Sequence, residues 1–344
     1  MAMNAAGPLV AGAETPLDRF RGEYPRAAER LERFYGRVSG HSEHIQYTSL
    51  NQQENDNFDL SDDNIHLHRK YDFSFLDQSF LIKKYYIPTP TKAASRAAAG
   101  TPGLHSPDTI ICKNKEYSFI LTYADNSKAP VLKLFGNDLD LKRDRTAVTI
   151  HLHSPFAILG TPVTKMMNDP NFKVKKAAAV SIGGDDCIQV DYDYAPGDDR
   201  GYYELRGGSI VFLPDRCWAI RGFRIGGVLR TAPSKREPVD PLFIGEVDYR
   251  GTRDSIPLIS KVGLFFKGTT KDICTFENID ITKKSERDFT LTSFGLPEIG
   301  EPSKVVRKGR ASYWFFGLAA LALIVAVALR WFTRRIRDTD RSPR

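Results

Sequence analysis

Two His-x-His pairs are the residues in this chain whose type and spacing are best suited to chemistry. One pair is His66 and His68, and the other is His151 and His153. On a strand, residues i and i+2 share a face, so each pair could present two imidazoles to one metal ion. However, the alternation places both pairs on a polar face, with apolar residues such as Ile65 on the opposite one. We therefore expect solvated strand histidines, with no metal and no cofactor.

An acidic stretch, DYDYAPGDDRGYYE over 191–204, has some likeness to a calcium-binding loop. An EF-hand loop needs Gly at its sixth position and Glu at its twelfth, where this chain has Pro196 and Tyr202. The stretch therefore predicts a hairpin with a charged tip. The GGDD sequence over 183–186 is interpreted in the same way.

The motifs that mark common enzyme classes are missing from the sequence. It contains no GxSxG elbow, no phosphate-binding P-loop, no GxGxxG and no CxxC. We expect no catalytic residue and favour a protein that is not an enzyme.

Apolar surface is the remaining candidate for binding. The chain has 21 Phe and 14 Tyr, and many of them fall in stretches that predict strands. Most such rings form a core, but some would line the concave side of a curved sheet and could hold a lipid tail or another apolar ligand. The candidate ligand-binding residues are Phe73, Phe75, Phe119, Leu121, Phe212 and Phe265.

The elements that would position these residues begin with a helix. Thr15 can cap it, Pro16 suits its first position, and Pro25 is expected to split it in two. Beyond Ser42 the apolar period changes from 3.6 to 2, which predicts strands.

Many short strands then follow, among them 65–75, its partner from residue 79, and 147–153. A short helix is predicted within 154–170, and Gly207-Gly208 is a signal for a hairpin turn. The fold class predicted is mainly β with flanking helices (α+β), a curved antiparallel sheet or incomplete barrel with an N-terminal and a mid-chain helix.

Composition limits the partners. The chain has a net charge of +7, and residues 301–344 contain ten Lys and Arg against three Asp and Glu. Residues 1–300 are therefore neutral overall, which argues against nucleic acid as a partner. The four cysteines, Cys112, Cys187, Cys217 and Cys274, permit two disulfides outside the cytoplasm or four buried thiols, and the pairing is left open.

The C-terminal region predicts a transmembrane helix over 311–332. Nineteen residues from Ala311 to Leu329 carry no charge, and aromatic residues flank them on both sides. Six arginines follow this uncharged stretch and four basic residues precede it, which favours a cytoplasmic basic tail (333–344) and an extracytoplasmic domain. Residues 1–14 are interpreted as a signal-peptide remnant or a disordered segment, because VAGAE has the spacing of a signal-peptidase site.

The element order over 16–281, together with DPNFKVKKAAAVSIGGDDCIQVDYDY, resembles the LolA-like lipoprotein-carrier fold. That resemblance implies an incomplete antiparallel barrel closed by helices, with an apolar concavity for acyl chains. FTLTSFGLPE before a C-terminal span also resembles exported planctomycete proteins.

The domain organisation expected is a β-rich domain over 15–281 with a flexible insertion at 88–107, then a stem over 282–310 before the span. The expected function is binding of a lipid or another apolar ligand by a single-pass cell-membrane protein. The partners expected are the bilayer and the acyl chains of lipids or lipoproteins. No protein partner is identified. The alternative is a structural or protein-interaction module displayed on a stalk.

Overall fold

The computed structural model describes residues 14–48, 64–89, 107–123, 129–136, 148–195, 203–232, 235–267 and 270–298. The chain divides into two units, Met1–Gly295 and Leu296–Arg344. The predicted N-terminal segment, nearly all of the 88–107 insertion, the span and the basic tail lie outside the described residues. Within the described ranges, no helix has both the length and the apolar character needed to cross a bilayer.

The first element is one continuous helix, α1 (Pro16–Tyr35). Thr15 caps it, because its side-chain oxygen accepts a hydrogen bond from the Asp18 backbone N–H at 3.2 Å. The predicted break at Pro25 is wrong. Proline removes one backbone hydrogen bond, but packing of a buried face stabilises the helix on both sides of it. That face consists of Phe20, Tyr24, Ala27, Ala28, Leu31, Phe34 and Tyr35.

Within the described ranges, thirteen strands form one antiparallel sheet in the order β6-β5-β4-β3-β2-β1-β15-β14-β13-β12-β11-β10-β9. Neighbours in the sheet are neighbours in sequence except where β1 pairs with β15. The sheet is curved and open, which confirms the mainly β fold class. The strands are β1 (Val38–Thr48), β2 (Ile65–Leu76), β3 (Ser79–Tyr86), β4 (Thr109–Lys113), β5 (Ser118–Tyr123), β6 (Pro130–Gly136), β9 (Phe172–Ile182), β10 (Asp185–Tyr194), β11 (Tyr203–Leu213), β12 (Ala219–Ala232), β13 (Lys235–Arg253), β14 (Ile256–Phe266) and β15 (Thr270–Ile281).

A segment between β6 and β9 covers part of the sheet. It contains a helical turn, α2 (148–152), the small hairpin β7 (Ala157–Ile158) and β8 (Thr161–Pro162), and α3 (Val163–Met167). The strand predicted over 147–153 is therefore wrong. The short mid-chain helix is confirmed by α3.

Two Gly-Gly pairs have different roles. Gly183 and Gly184 join β9 to β10 with positive φ angles, as predicted for the GGDD hairpin. The turn predicted at Gly207-Gly208 is wrong, because both residues lie inside β11, beside a register shift. A Cβ on Gly208 would lie 1.9 Å from the Arg224 carbonyl oxygen, so glycine there permits close strand approach.

The core consists of two clusters, and α1 contributes to both. Its first half packs Phe20 and Tyr24 against Phe212 and Trp218, with the Tyr24 and Phe212 ring centroids 4.8 Å apart. Its second half packs Leu31, Phe34 and Tyr35 against a larger cluster from β2, β3, β14 and β15. Phe289 and Leu291, which follow the predicted β-rich domain in the sequence, are also buried.

Candidate functional site

The six apolar residues predicted to bind a ligand lie in packed surroundings. Five of them are at most 3% exposed and Phe265 is half-buried. Phe73 and Phe75 lie together with ring centroids 6.0 Å apart, whereas Phe212 belongs to the other cluster, against α1. The six residues therefore do not form one site, and a ligand role for any of them stays a prediction.

A cleft of about 560 Å³ lies where the end of α1 meets the β2–β3 and β13–β14 turns and the end of β15. We call it the cationic cleft. Its volume is within the range of small-molecule sites. Its lining residues are Arg30, Arg33, Phe34, Arg37, Leu76, Asp254, Ile256, Ile281, Thr282 and Lys284.

Positive charge dominates this cleft. Arg30, Arg33 and Arg37 are spaced i, i+3 and i+7, so α1 and the residues after it present them on one side. Arg37 is paired with Asp77 at 3.5 Å. The Arg30, Arg33 and Lys284 side chains form no ion pair with any carboxylate in the described ranges. Asp254 is the one acidic residue in the lining.

Apolar side chains lie beside these charges. Phe34 and Ile256 are buried at the base of the cleft, and Leu76 and Ile281 are half-buried. The cleft therefore has the two components that an amphiphile needs, a cationic rim and an apolar floor. Sequence reasoning missed it, although RLERFYGR over 30–37 contains the spacing that could have indicated it.

A second cleft, of about 610 Å³, lies over β10 to β13 and is lined by Gly207, Gly208, Gly226 and Gly227 with several charged residues. Those charges pair with one another or with neighbours. Lys175 binds Asp193 at 2.6 Å, and Arg206 binds Glu204 at 3.3 Å. This internal pairing makes the second cleft a weaker candidate.

A buried polar cluster lies on the inner side of β1 and β15. His44 of β1, His151 of α2 and Asp272 of β15 place their ligand atoms within 4.8 Å of one another. Asp272 also accepts a hydrogen bond from the Gln46 amide at 2.8 Å. These residue types could hold a metal ion, contrary to the expectation that His151 is a solvated strand residue. His151 is instead buried on a helical turn.

The electrostatics of this cluster keep the carboxyl ionised and the imidazole neutral. Burial lowers the pKa of His151 to about 4, with a further contribution from the His44 ring. Burial acts to raise the pKa of Asp272, but the adjoining histidine rings and the Gln46 amide outweigh it and lower that pKa. A neutral imidazole and a carboxylate are both metal ligands.

The first histidine pair does not join this cluster. His66 is exposed, and the His68 Nε2 atom lies 2.7 Å from the Glu43 carboxylate. The four cysteines are all free thiols, and burial raises the pKa of each. Thiols with raised pKa values are weak nucleophiles near neutral pH.

Among known proteins, similarity to this chain is found with solved structures only. No protein-family model matches the chain, and no curated protein matches it. Among solved structures, a LolA superfamily protein from Nitrosomonas europaea is 8% identical, with 79% of this chain and 99% of that chain covered and a TM-score of 0.36. A DUF1329 family protein from Desulfovibrio piger is 10% identical, covers 80% and 98%, and has a TM-score of 0.38.

LprF from Mycobacterium bovis is 10% identical, covers 76% and 97%, and has a TM-score of 0.23. A member of the superfamily that the sequence resembles is therefore among the structural neighbours. With TM-scores below 0.5, these similarities carry no argument about what the chain binds. The resemblance to planctomycete proteins stays a prediction.

Proposed function

We propose that the domain binds an anionic amphiphile, a fatty acid or a lipid with an anionic head group, in the cationic cleft. The observation that carries this proposal is the set of cations along one apolar groove, three of which have no ion-pair partner in the described residues. The domain acts by binding rather than by catalysis.

The head group would lie between Arg30, Arg33 and Lys284. Arginine binds carboxylates and phosphates with two parallel hydrogen bonds, which makes it well suited to both kinds of head group. Asp254 at the rim would disfavour a second negative charge close to it. The charges of the cleft therefore select an anion over a neutral amphiphile.

The apolar chain would lie over Phe34, Leu76, Ile256 and Ile281. Each buried methylene contributes about 0.8 kcal/mol, less the cost of ordering the chain. Several methylenes along this floor would therefore add substantially to the attraction of the head group. This groove differs from the sheet concavity expected from the sequence, whose aromatic residues pack against one another.

We further propose that the span over 311–332 holds the domain at a bilayer, on the extracytoplasmic side. The basis is the uncharged sequence and the six arginines that follow it. Tethering would keep the cleft in a region where amphiphiles are concentrated. This part of the proposal rests on the sequence alone.

A titration with a fluorescent fatty acid tests the binding proposal. The full chain would be placed in phosphatidylcholine nanodiscs and titrated with dansyl-labelled undecanoic acid, with empty nanodiscs as the baseline. We expect saturable binding at one site per chain and at least tenfold weaker binding by the Arg30→Glu/Arg33→Glu variant. Arg21→Glu/Arg26→Glu is the matched control, because both arginines are exposed on α1 and outside the cleft.

Equal binding by the wild type and the Arg30→Glu/Arg33→Glu variant would contradict the proposal, and so would equal binding of the methyl ester of the probe. The close packing of the apolar residues predicted to bind a ligand favours the second candidate, a protein-interaction module displayed near the membrane. Absence of saturable binding would leave that candidate as the better account.

A further inference from the structure

The cluster of His44, His151 and Asp272 is separate from the cationic cleft and is not used by the proposed function. The three residues come from distant parts of the chain, on β1, α2 and β15. Both histidines are at least 97% buried. Three ligand-type side chains meeting at one buried point require an explanation that packing alone does not supply.

Three of the four imidazole nitrogens in this cluster have no hydrogen-bond partner within the described part of the chain. Both ring nitrogens of His44 and the Nδ1 atom of His151 are buried and unpaired. The Oγ1 atom of Thr149, on the same helical turn as His151, is also unpaired. Buried imidazole nitrogens normally bind a neighbour or a metal, so this set indicates that a binding partner is missing.

The spacing of the ligand atoms matches a shared ion better than direct contact. His44 Nε2 lies 3.6 Å from Asp272 Oδ1, beyond ordinary hydrogen-bonding distance. Two ligands of a tetrahedral zinc ion, each about 2.0–2.1 Å from the metal, lie roughly 3.3 Å apart. The group spans at most 4.8 Å, so small side-chain shifts would bring all three ligands to such an ion.

We propose that His44, His151 and Asp272 form a binding site for a divalent transition-metal ion, with Zn²⁺ as the best match. Two imidazoles and one carboxylate are a common ligand set for zinc. The ion would link α2 to β1 and β15, the first and last strands of the sheet in sequence, which pair with each other. Gln46 would act as a supporting residue, because its amide orients the Asp272 carboxylate.

Access and charge are compatible with this site. The Asp272 side chain keeps 21% of its surface exposed, so a water molecule can reach the fourth coordination position from that side. Arg69 is paired with His44 across β1 and β2 and carries a positive charge on the same face. The Arg69 charge would reduce the affinity of the site for a cation, and the negative charge of Asp272 would offset this reduction.

Metal titration of the full chain tests this inference. Protein stripped with a chelator would be titrated with Co²⁺, followed by visible d–d absorption, and then with Zn²⁺ in competition. We expect one equivalent to bind, Zn²⁺ to displace Co²⁺, and Zn²⁺ to raise the melting temperature, because it binds the folded state. His151→Gln and Asp272→Asn should each weaken binding at least tenfold, while the surface control His66→Gln should bind like the wild type.

Several outcomes would overturn the inference. They are a lack of stoichiometric Co²⁺ uptake, uptake undiminished in both cluster variants, or stabilisation by sulfate in place of Zn²⁺, which would indicate an anion site beside Arg69. If His151→Gln fails to fold by circular dichroism, Asp272→Asn decides the result. The arginine variants of the cationic cleft should bind metal normally, so failure of one proposal is distinguishable from failure of the other.

Discussion

Tyr35 shows how a single residue joins α1 to the sheet. Its hydroxyl donates to the Pro257 carbonyl oxygen at 2.7 Å and accepts from the Ile259 backbone N–H at 3.0 Å. The ring is fully buried and contacts Phe34 and Phe156. The pairing of β14 with β15 begins at Lys261, beyond both residues, and the Tyr35 hydroxyl satisfies these two backbone groups inside the core.

Replacing Tyr35 by Phe should lower the free energy of unfolding by about 2 kcal/mol, since two buried backbone groups lose their partner. Tyr24→Phe is the matched control on the same helix. Among the described residues its hydroxyl makes a single long bond, 3.4 Å to the Phe156 carbonyl oxygen, so we expect a loss below about 1 kcal/mol. Denaturant unfolding followed by circular dichroism measures both values, and equal losses would contradict the role assigned to Tyr35.

At this scale the sequence could suggest residue types but not their neighbours. The alternation around His151 predicted an exposed strand residue, because local periodicity carries no information on the pairing of β1 with β15. That pairing brings His44 beside Cys274, two residues from Asp272. The cationic cleft was missed for the same reason, since its apolar floor comes from four separate elements.

At the scale of elements, strand β11 depends on glycine within its length. Gly208 has φ of 153°, and an added Cβ would overlap the Arg224 carbonyl oxygen of β12. The neighbouring backbone has no freedom to move away, because β12 is paired on its other side with β13. The glycine pair therefore permits β11 and β12 to approach each other closely, and it does not form a turn.

Gly208→Ala should destabilise the domain by at least about 2 kcal/mol, through overlap with backbone and strain at φ. Gly263→Ala on β14 is the control, because no atom lies within 4 Å of its added Cβ. We expect the control to change the unfolding free energy by less than about 1 kcal/mol. Similar melting curves for the two variants would show that β11 can move away from β12.

Elements with a strong local signal were predicted well from the sequence. The cap at Thr15, the alternation of β2 and the Gly183-Gly184 turn each depend on residues close together in the chain. The predicted break at Pro25 failed because packing of Tyr24 and Ala28 against the sheet outweighs the lost hydrogen bond. Tertiary contacts override local preference wherever a buried face is large.

For the molecule as a whole, the binding account predicts a dependence on ionic strength. The cations of the cleft lie at the surface, where the Debye length falls from about 10 Å at 0.1 M salt to about 3 Å at 1 M. Affinity for the dansyl-labelled acid should therefore decrease with salt, and the Arg30→Glu/Arg33→Glu variant should show a smaller decrease. Fluorescence titration over this range measures the slope, and a flat response in the wild type would exclude an electrostatic contribution.

The order of strands could be predicted only in part. Neighbouring strands in sequence pair throughout the sheet, as expected for a meander. The pairing of β1 with β15 places the first strand in the interior of the sheet. This pairing has no short-range signal in the sequence, because more than 200 residues separate Val38 from Ile281. This pairing brings together the residues of both the cationic cleft and the histidine cluster.

Native mass spectrometry of the full chain, purified from its own cells in a neutral detergent, tests the central claim most directly. The account predicts one anionic amphiphile retained per wild-type chain, with the adduct reduced in Arg30→Glu/Arg33→Glu and unchanged in Arg21→Glu/Arg26→Glu. A wild-type chain that carries no amphiphile, or an adduct equally abundant in both double variants, would contradict binding in the cationic cleft.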